Sequence, residues 1–537
     1  MGERPALLPQ PWRVRFADGT GAELADGLSI ACDDAPGFLA TAHWFRRTIE
    51  AATGWRVEVG GATTCATIEL RAGRVDVPAP GPEGERYHLR VADGRIVVTA
   101  PAASGAFYGL QTVRQLLDAD WYRHAPPGGR ARPALAVGGV EVEDGPRFSW
   151  RGVHLDVSRH FMPMPFLLRL VDLAALHKLN MLHLHLTDDQ GWRVPIPKHP
   201  RLTEVGAWRR ESPLGHGRDR VGDGVPHGGF YTHADLAELV GYAAERHVTV
   251  VPEVDMPGHM VAAIAAYPEL GNTGEEREVL AHWGISRHVL NLEEPTLQFC
   301  WDVIDEVADI FPGGGWFHIG GDECPTVEWE ESTTARTLMA AEGMTDPRQL
   351  QGWFNARIAE HLGGIGRTVI GWDEILEGGA PEGSVVMSWR DEAGGVAAAE
   401  AGHDVVMTPQ QWLYLDWAYA DDPAEPLAIC PAISVERVYG YDPVGSVPPE
   451  KRHHVLGAQA NLWTEYVPTP EHAEYLYFPR LCALSEVVWS DPDAEGRSFG
   501  EFEARLGRHL ERLAALGVNY RPLSGPTPGQ SRVWRPA

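Results

Sequence analysis

From residue 151 onward the chain repeats one pattern eight times: a short apolar run suited to a buried strand, then a longer stretch with helical spacing. The runs are 151–157, 181–186, 249–254, 316–320, 368–371, 384–388, 404–407 and 455–460. Between the first two, Leu167, Leu170, Val171 and Ala174 keep the i, i+3, i+4, i+7 spacing of a helix that buries one stripe. Parallel strands alternating with crossover helices build an α/β sheet, and eight of them close a (β/α)8, or TIM, barrel. The expected fold is α/β: a TIM-barrel catalytic domain over 149–537, preceded by a small α+β domain over 1–148. Helical segments near 470–488 and 500–516 would complete it, with long loops near 191–230 and 410–454.

In the first 148 residues, 86–92 and 95–100 are β-rich runs separated by Asp93-Gly94, a tight-hairpin dipeptide, and a helix-like stretch near 104–117 follows. Nothing there gathers polar residues, so its role reads as structural. A formal charge of -28 argues against nucleic acid or an anionic membrane as partner. The six cysteines, Cys32, Cys65, Cys300, Cys324, Cys430 and Cys482, include no Cys-x-x-Cys pair, and buried reduced thiols are the expectation. The first residues lack the apolar core of a signal peptide and no run is long enough to span a bilayer, so a cytoplasmic location is expected.

A barrel enzyme gathers its chemistry where strands end, because those ends converge on one mouth. Here the ends carry Arg159 and His160; Asp188, Asp189, Gln190 and Trp192; Asp255 and His259; Asp322 and Glu323; Trp372; Trp389; Tyr414 and Asp416; and Trp463 with Glu465. Any one of these is unremarkable: a lone Gly-Gly-Asp-Glu is usually a solvated turn, and a lone Trp is usually core. All eight ends together describe a polar pocket walled with indoles. That suits a sugar, whose C–H face stacks on aromatic rings while its hydroxyls bond carboxylates and Arg.

The run His318-Ile319-Gly320-Gly321-Asp322-Glu323 resembles the signature of family 20 glycoside hydrolases, the β-N-acetylhexosaminidases. Asp156-Val157-Ser158-Arg159-His160, His185-Leu186-Thr187-Asp188-Asp189-Gln190-Gly191-Trp192 and Glu253-Val254-Asp255-Met256-Pro257-Gly258-His259 are similar to it as well. The resemblance covers nearly the whole chain. It implies a retaining exo-enzyme that removes terminal β-linked N-acetylglucosamine or N-acetylgalactosamine from an oligosaccharide or glycoconjugate. In that family the substrate's own 2-acetamido group serves as nucleophile. No metal or cofactor is implied.

By the same resemblance Glu323 is the general acid and then base, and Asp322 holds the acetamido N–H and steadies the charged intermediate. Neighbours on a strand point to opposite faces, so both can serve only if the strand breaks, which Gly320-Gly321 permits. Anionic Asp322 would then raise the proton affinity of Glu323. Tyr414 would donate to the acetamido oxygen, and Trp372, Trp389 and Trp463 would wall its methyl group. Arg159 would bind the 3- and 4-hydroxyls, Glu465 the 4-hydroxyl and Asp416 the 6-hydroxyl. Asp188 and His259 would orient Glu323, with Asp255 supporting His259. His160, Asp189 and Glu253 read as structural. Extra residues near 206–228 and 325–346 depart from compact family members, and Trp417 is the candidate platform for the neighbouring sugar.

Two other classes compete. His183-x-His185 puts two imidazoles on one strand face, as barrel metallohydrolases do; metal analysis separates that reading. A non-catalytic sugar-binding barrel would lack Asp322 or Glu323, and both are present. A disaccharide-releasing relative is disfavoured by Arg159, Asp416 and Glu465, which together grip a terminal sugar.

Overall fold

The computed structural model describes residues 6–16, 21–61, 67–216, 221–429, 431–494 and 497–527. Eight parallel strands close a barrel: Trp150–Asp156, Met181–His185, Thr249–Glu253, Trp316–His318, Thr368–Trp372, Val385–Ser388, Asp404–Met407 and Val455–Ala460, with the last pairing the first. All eight expected runs are strands, with ends moved by two residues at most. The strands are apolar on both faces because both faces are covered. Leu155, Leu182 and Leu184 point outward into the core shared with the surrounding helices. Their alternates Trp150, Met181, Val251, Ile370, Val385 and Val406 fill the inside of the barrel as a separate cluster. The helix predicted from Leu167 to Ala174 is Met164–Leu176, and those four residues are its buried stripe.

The N-terminal unit is a seven-stranded mixed sheet in the order Arg13–Phe16, Val140–Asp144, Tyr87–Ala92, Arg95–Ala100, Ile68–Ala72, Leu28–Cys32, Val57–Gly61. The Asp93-Gly94 hairpin forms, with both residues at positive φ, and helices Phe38–Thr53 and Ala103–Gln115 pack on the sheet. The unit joins the barrel through a buried ion pair, a second that is partly exposed, and a buried hydrogen bond. Lys178 donates to Asp144 at 2.7 Å, Arg151 lies 2.8 Å from Glu85, and Trp489 Nε1 donates to Asp144 at 2.9 Å. Arg151 and Lys178 flank the base of the first two strands, so this interface braces the barrel end away from the strand tips.

The long connections carry their own short elements. Segment 191–230 holds the helix Arg201–Glu204 and the strand pair Trp208–Arg209 with His227–Gly228. The extra stretch near 325–346 is two helices, Val327–Glu331 and Thr333–Glu342. Cys65 and Cys430 lie outside the described residues; Cys32, Cys300, Cys324 and Cys482 are unpaired. Among the described residues no helix is long and apolar enough to cross a membrane.

Candidate active site

The fourth barrel strand stops at His318, and the chain then takes positive φ at Gly320 (68°), Gly321 (90°) and Glu323 (45°). This is the break that lets Asp322 and Glu323 face the same way. A Cβ at Gly320 would lie 1.8 Å from Asp255 Oδ1, so only glycine fits. Asp255 Oδ1 accepts the Gly321 N–H at 3.0 Å. Asp255 thus fixes the acid-bearing turn, and it also lies in one cluster with His259 and Asp322. Its carboxyl is spent on an orphan amide of the broken strand, a partner that local sequence does not reveal.

His259, itself at positive φ, aims Nε2 at the pair: it lies 3.7 Å from Asp322 Oδ2 and 3.7 Å from Glu323 Oε2. Its Nδ1 is 3.1 Å from Asp188 Oδ1 and 3.6 Å from Asp189 Oδ2. Asp189 also accepts the Val261 N–H at 3.1 Å, which ties the third strand's loop to the second's. Arg159 Nη2 bonds Asp188 Oδ2 at 2.7 Å, and its guanidinium lies 5.0 Å from the Trp463 ring centroid.

These groups border a cavity of about 200 Å³ lined by Arg159, Asp322, Glu323, Trp389, Tyr414, Asp416, Trp463 and Glu465, with Gln410, Trp417 and Ile429 at its side. The volume is below the ~300–1,000 Å³ of drug-sized sites and suits a single sugar ring. Trp389 and Tyr414 stand nearly parallel, 6.0 Å apart, and Trp463 is 6.3 Å from Tyr414. Trp372 backs this wall. It is buried beneath, 5.9 Å from Trp463, and donates Nε1 to Glu253 at 2.9 Å. It is the last residue of its strand and follows the inward alternation. A larger cavity of about 410 Å³ lies between the two units, but Asp172 is its one lining carboxylate.

Residues 148–492 match the model of the glycosyl hydrolase family 20 catalytic domain, and residues 4–144 match its domain 2. The chain belongs to glycosyl hydrolase family 20. A β-hexosaminidase of Porphyromonas gingivalis is 42% identical over 85% of this chain, which spans 57% of that longer protein. The family 20 β-N-acetylhexosaminidase structure from Streptomyces coelicolor A3(2) superposes with a TM-score of 0.82 at 32% identity, covering 97% of this chain and 98% of that one. An exo-β-N-acetylglucosaminidase of Vibrio harveyi, solved with N-acetylglucosamine, gives 0.84 at 30% identity, covering 96% of this chain and 78% of that one.

In this family 20 chain the site's charges are set mainly by burial. The Glu323 carboxyl is pushed up to about 7 by desolvation first; the Asp322 charge adds to it, while His259 and Arg159 oppose it. The expected cause, Asp322, is therefore real but secondary. Burial also raises Asp416 well above the carboxylate range, with Glu465 adding to it, and raises Glu465. Glu374, which accepts Trp389 Nε1 at 2.9 Å, is pushed up to about 9 by burial and by Asp322. In His259, burial opposes the charge, yet Asp188 holds the imidazolium well above its usual range.

His183 and His185, the pair behind the metallohydrolase reading, both turn onto Glu253 in the barrel interior. His185 Nδ1 lies 2.6 Å and His183 Nε2 3.0 Å from Glu253 Oε2. His154, His183 and Glu253 bring donor-type atoms within 4.8 Å of one another. Glu253 is already engaged by His185 and Trp372, however, and acts there as a counter-ion. Sequence inspection missed Glu374 and Gln410. Both lie just past a strand, Glu374 after the fifth and Gln410 after the seventh, where the strand-end rule places them.

Proposed function

We propose that this chain is a retaining exo-β-N-acetylhexosaminidase that removes terminal non-reducing β-linked N-acetylglucosamine or N-acetylgalactosamine, with the substrate's 2-acetamido oxygen as nucleophile. The observation that carries this is a set of three buried carboxyl oxygens with no hydrogen-bond partner among the described residues, Asp322 Oδ1, Asp416 Oδ1 and Glu465 Oε2, all on residues lining one ring-sized cavity. Orphaned buried acceptors are costly and await donors, and sugar hydroxyls and an acetamido N–H are donors of that kind. The Vibrio harveyi relative, with N-acetylglucosamine in its crystal, supports the choice of sugar.

In the first step Glu323, protonated near neutral pH, gives its proton to the glycosidic oxygen, and the aglycone leaves as an alcohol. The acetamido oxygen takes its place on the anomeric carbon, closing an oxazolinium ring. An intramolecular nucleophile of this kind can contribute roughly 7–11 kcal/mol through effective molarity. Asp322 holds the amide N–H and the developing charge, Tyr414 donates to the amide oxygen, and Trp389, Tyr414 and Trp463 enclose the methyl group. Glu323, now a carboxylate, then takes a proton from water as water opens the ring and restores the β-anomer. Asp416 and Glu465 grip the far hydroxyls with Arg159, which favours release of one terminal sugar. Trp417, Gln410 and Ile429 complete the lining.

The test compares p-nitrophenyl β-glycosides of N-acetylglucosamine, N-acetylgalactosamine and glucose, with and without a thiazoline mimic of the cyclic intermediate. Turnover limited to acetamido sugars and blocked by the thiazoline is expected. Equal turnover of the plain glucoside would mean a protein nucleophile and would overturn the roles of Asp322 and Tyr414.

A further inference from the structure

Resting on the role of Glu323 as acid, we propose that His185 and Glu253, sealed beneath the cavity, are positioning residues that set the charge of Asp188 and, through His259, the proton affinity of Glu323. A continuous chain of contacts runs up the barrel axis. Glu253 Oε2 lies 2.6 Å from His185 Nδ1, and His185 Nε2 lies 2.8 Å from Asp188 Oδ2. Asp188 Oδ1 lies 3.1 Å from His259 Nδ1, and His259 Nε2 is 3.7 Å from Glu323. His185, Glu253 and Asp188 are all buried.

Both nitrogens of His185 therefore meet carboxylate oxygens. Ionised carboxylates only accept, so both nitrogens must carry protons and the ring is an imidazolium. Burial opposes that charge, but Glu253 and Asp188 outweigh it and hold His185 well above the usual histidine range. The titratable groups around it are Glu253, Asp188 and Asp255 and the rings of His154 and His183. None of them supplies a second cation to Asp188 from below. His183 differs from its neighbour. It accepts from Gln459 at Nδ1 (3.0 Å), so its proton sits on Nε2, facing Glu253; burial pushes it down to about 4, so it is neutral.

The Glu253–His185 pair is thus an ion pair with its positive end against Asp188. That end adds to Arg159, 2.7 Å from the same Asp188 oxygen, in offsetting the Asp188 charge, which without it would act more strongly on His259 and Glu323. The groups facing Glu323 are His259, Asp322, Arg159 and Asp188, so the balance among them decides where the acid loses its proton. Removing the His185 charge leaves the surroundings of Glu323 more negative, and the acid keeps its proton to higher pH. Across roughly 10 Å at an effective dielectric near 20, a unit charge shifts a titration by about one pH unit, less where solvent screens it.

The experiment is the pH dependence of kcat/KM for His185→Gln, with His183→Gln as control because it contacts Glu253 but not Asp188. His185→Gln is expected to move the basic limb up by about 0.5–1 unit and to cut turnover of an unactivated disaccharide at least about tenfold. KM and the rate on an activated aryl leaving group, which needs little acid help, should stay near those of the parent. His183→Gln should leave the limb in place. A basic limb unmoved in folded His185→Gln, or moved equally in both variants, overturns the proposal. Should His185→Gln not fold, ¹⁵N NMR of the intact protein decides instead: His185 must be doubly protonated at pH 8, and a neutral ring refutes the inference. Loss of activity in Glu323→Gln on poor leaving groups, measured alongside, separates failure here from failure of the acid assignment.

Discussion

Replacing Asp322 by Asn changes its charge while keeping its shape, and two separate readouts follow. Asp322 Oδ1 is buried without a hydrogen-bond partner among the described residues, and Oδ2 is 3.7 Å from His259 Nε2, the same nitrogen that lies 3.7 Å from Glu323 Oε2. Those two legs put the two carboxylate oxygens no more than about 7.4 Å apart, where a unit charge contributes about 2 kcal/mol at an effective dielectric of 20. The Glu323 side chain is 33% exposed, so screening reduces this to about 1 kcal/mol, or about 0.7 pH unit. The Asp322 anion disfavours ionised Glu323 and so raises it; the amide removes that effect. In Asp322→Asn the basic limb of kcat/KM, expected near 7 in the parent, should fall by about 0.5–1 unit.

The second readout is the rate at the optimum. An amide cannot stabilise a positive oxazolinium as a carboxylate does, and the loss should match removal of one preorganised charge-stabilising group, about 10²–10³ in kcat. Steady-state kinetics on a p-nitrophenyl N-acetylglucosaminide from pH 4 to 9 measures both. An unchanged kcat would remove Asp322 from the chemistry. A limb that rises instead of falling would show that the two carboxyls do not couple as their geometry requires.

Tyr414→Phe removes one donor from the acetamide pocket while keeping the ring stacked on Trp389; kcat should fall about 10²–10³, and parent-like kcat would take Tyr414 out of the mechanism. Gly320→Ala forces a Cβ to 1.8 Å from Asp255 Oδ1 and 2.8 Å from Asp255 Cα at φ 68°, so a loss of about 3 kcal/mol or more is expected in denaturant titration; parent-like stability would mean that the turn can re-form elsewhere. His177 and His160 are both pushed down to about 4, first by burial. A base held below its unfolded value near 6.5 contributes stability that is complete above that value and drains away as pH falls toward 4. Tm should therefore fall steadily from pH 7 to 4.5, and a flat profile would contradict it.

The barrel was legible because its strands are buried on both faces and its polar residues collect at strand ends, both properties of short local runs. Asp322 and Glu323 were legible for the same reason, since the glycines that break the strand adjoin them. What sequence missed is pairing between strands. Asp255 belongs to the third strand's loop and spends its carboxyl on Gly321 of the fourth. Trp372 ends the fifth strand and gives its indole to Glu253 of the third. Period-two alternation tells that such residues point inward, but not how high in the barrel each side chain reaches.

That height is what separates structure from chemistry here. Trp150, Met181, Val251 and Val385 fill the lower interior with apolar volume. Two residues further along the first three of those strands, roughly one rung up, stand Gly152, His183 and Glu253, with His154 and His185 following. The rung above opens to the cavity. A carboxyl cannot be raised to about 7 at a wet mouth unless something below it is dry, and the apolar layer supplies that dryness. It cannot stay hydrogen-bonded and correctly aimed in a purely apolar barrel either, so the histidine and glutamate rung stands between the two. On this argument the residues read at first as structural, Glu253 above all, are the ones through which the fold reaches the acid.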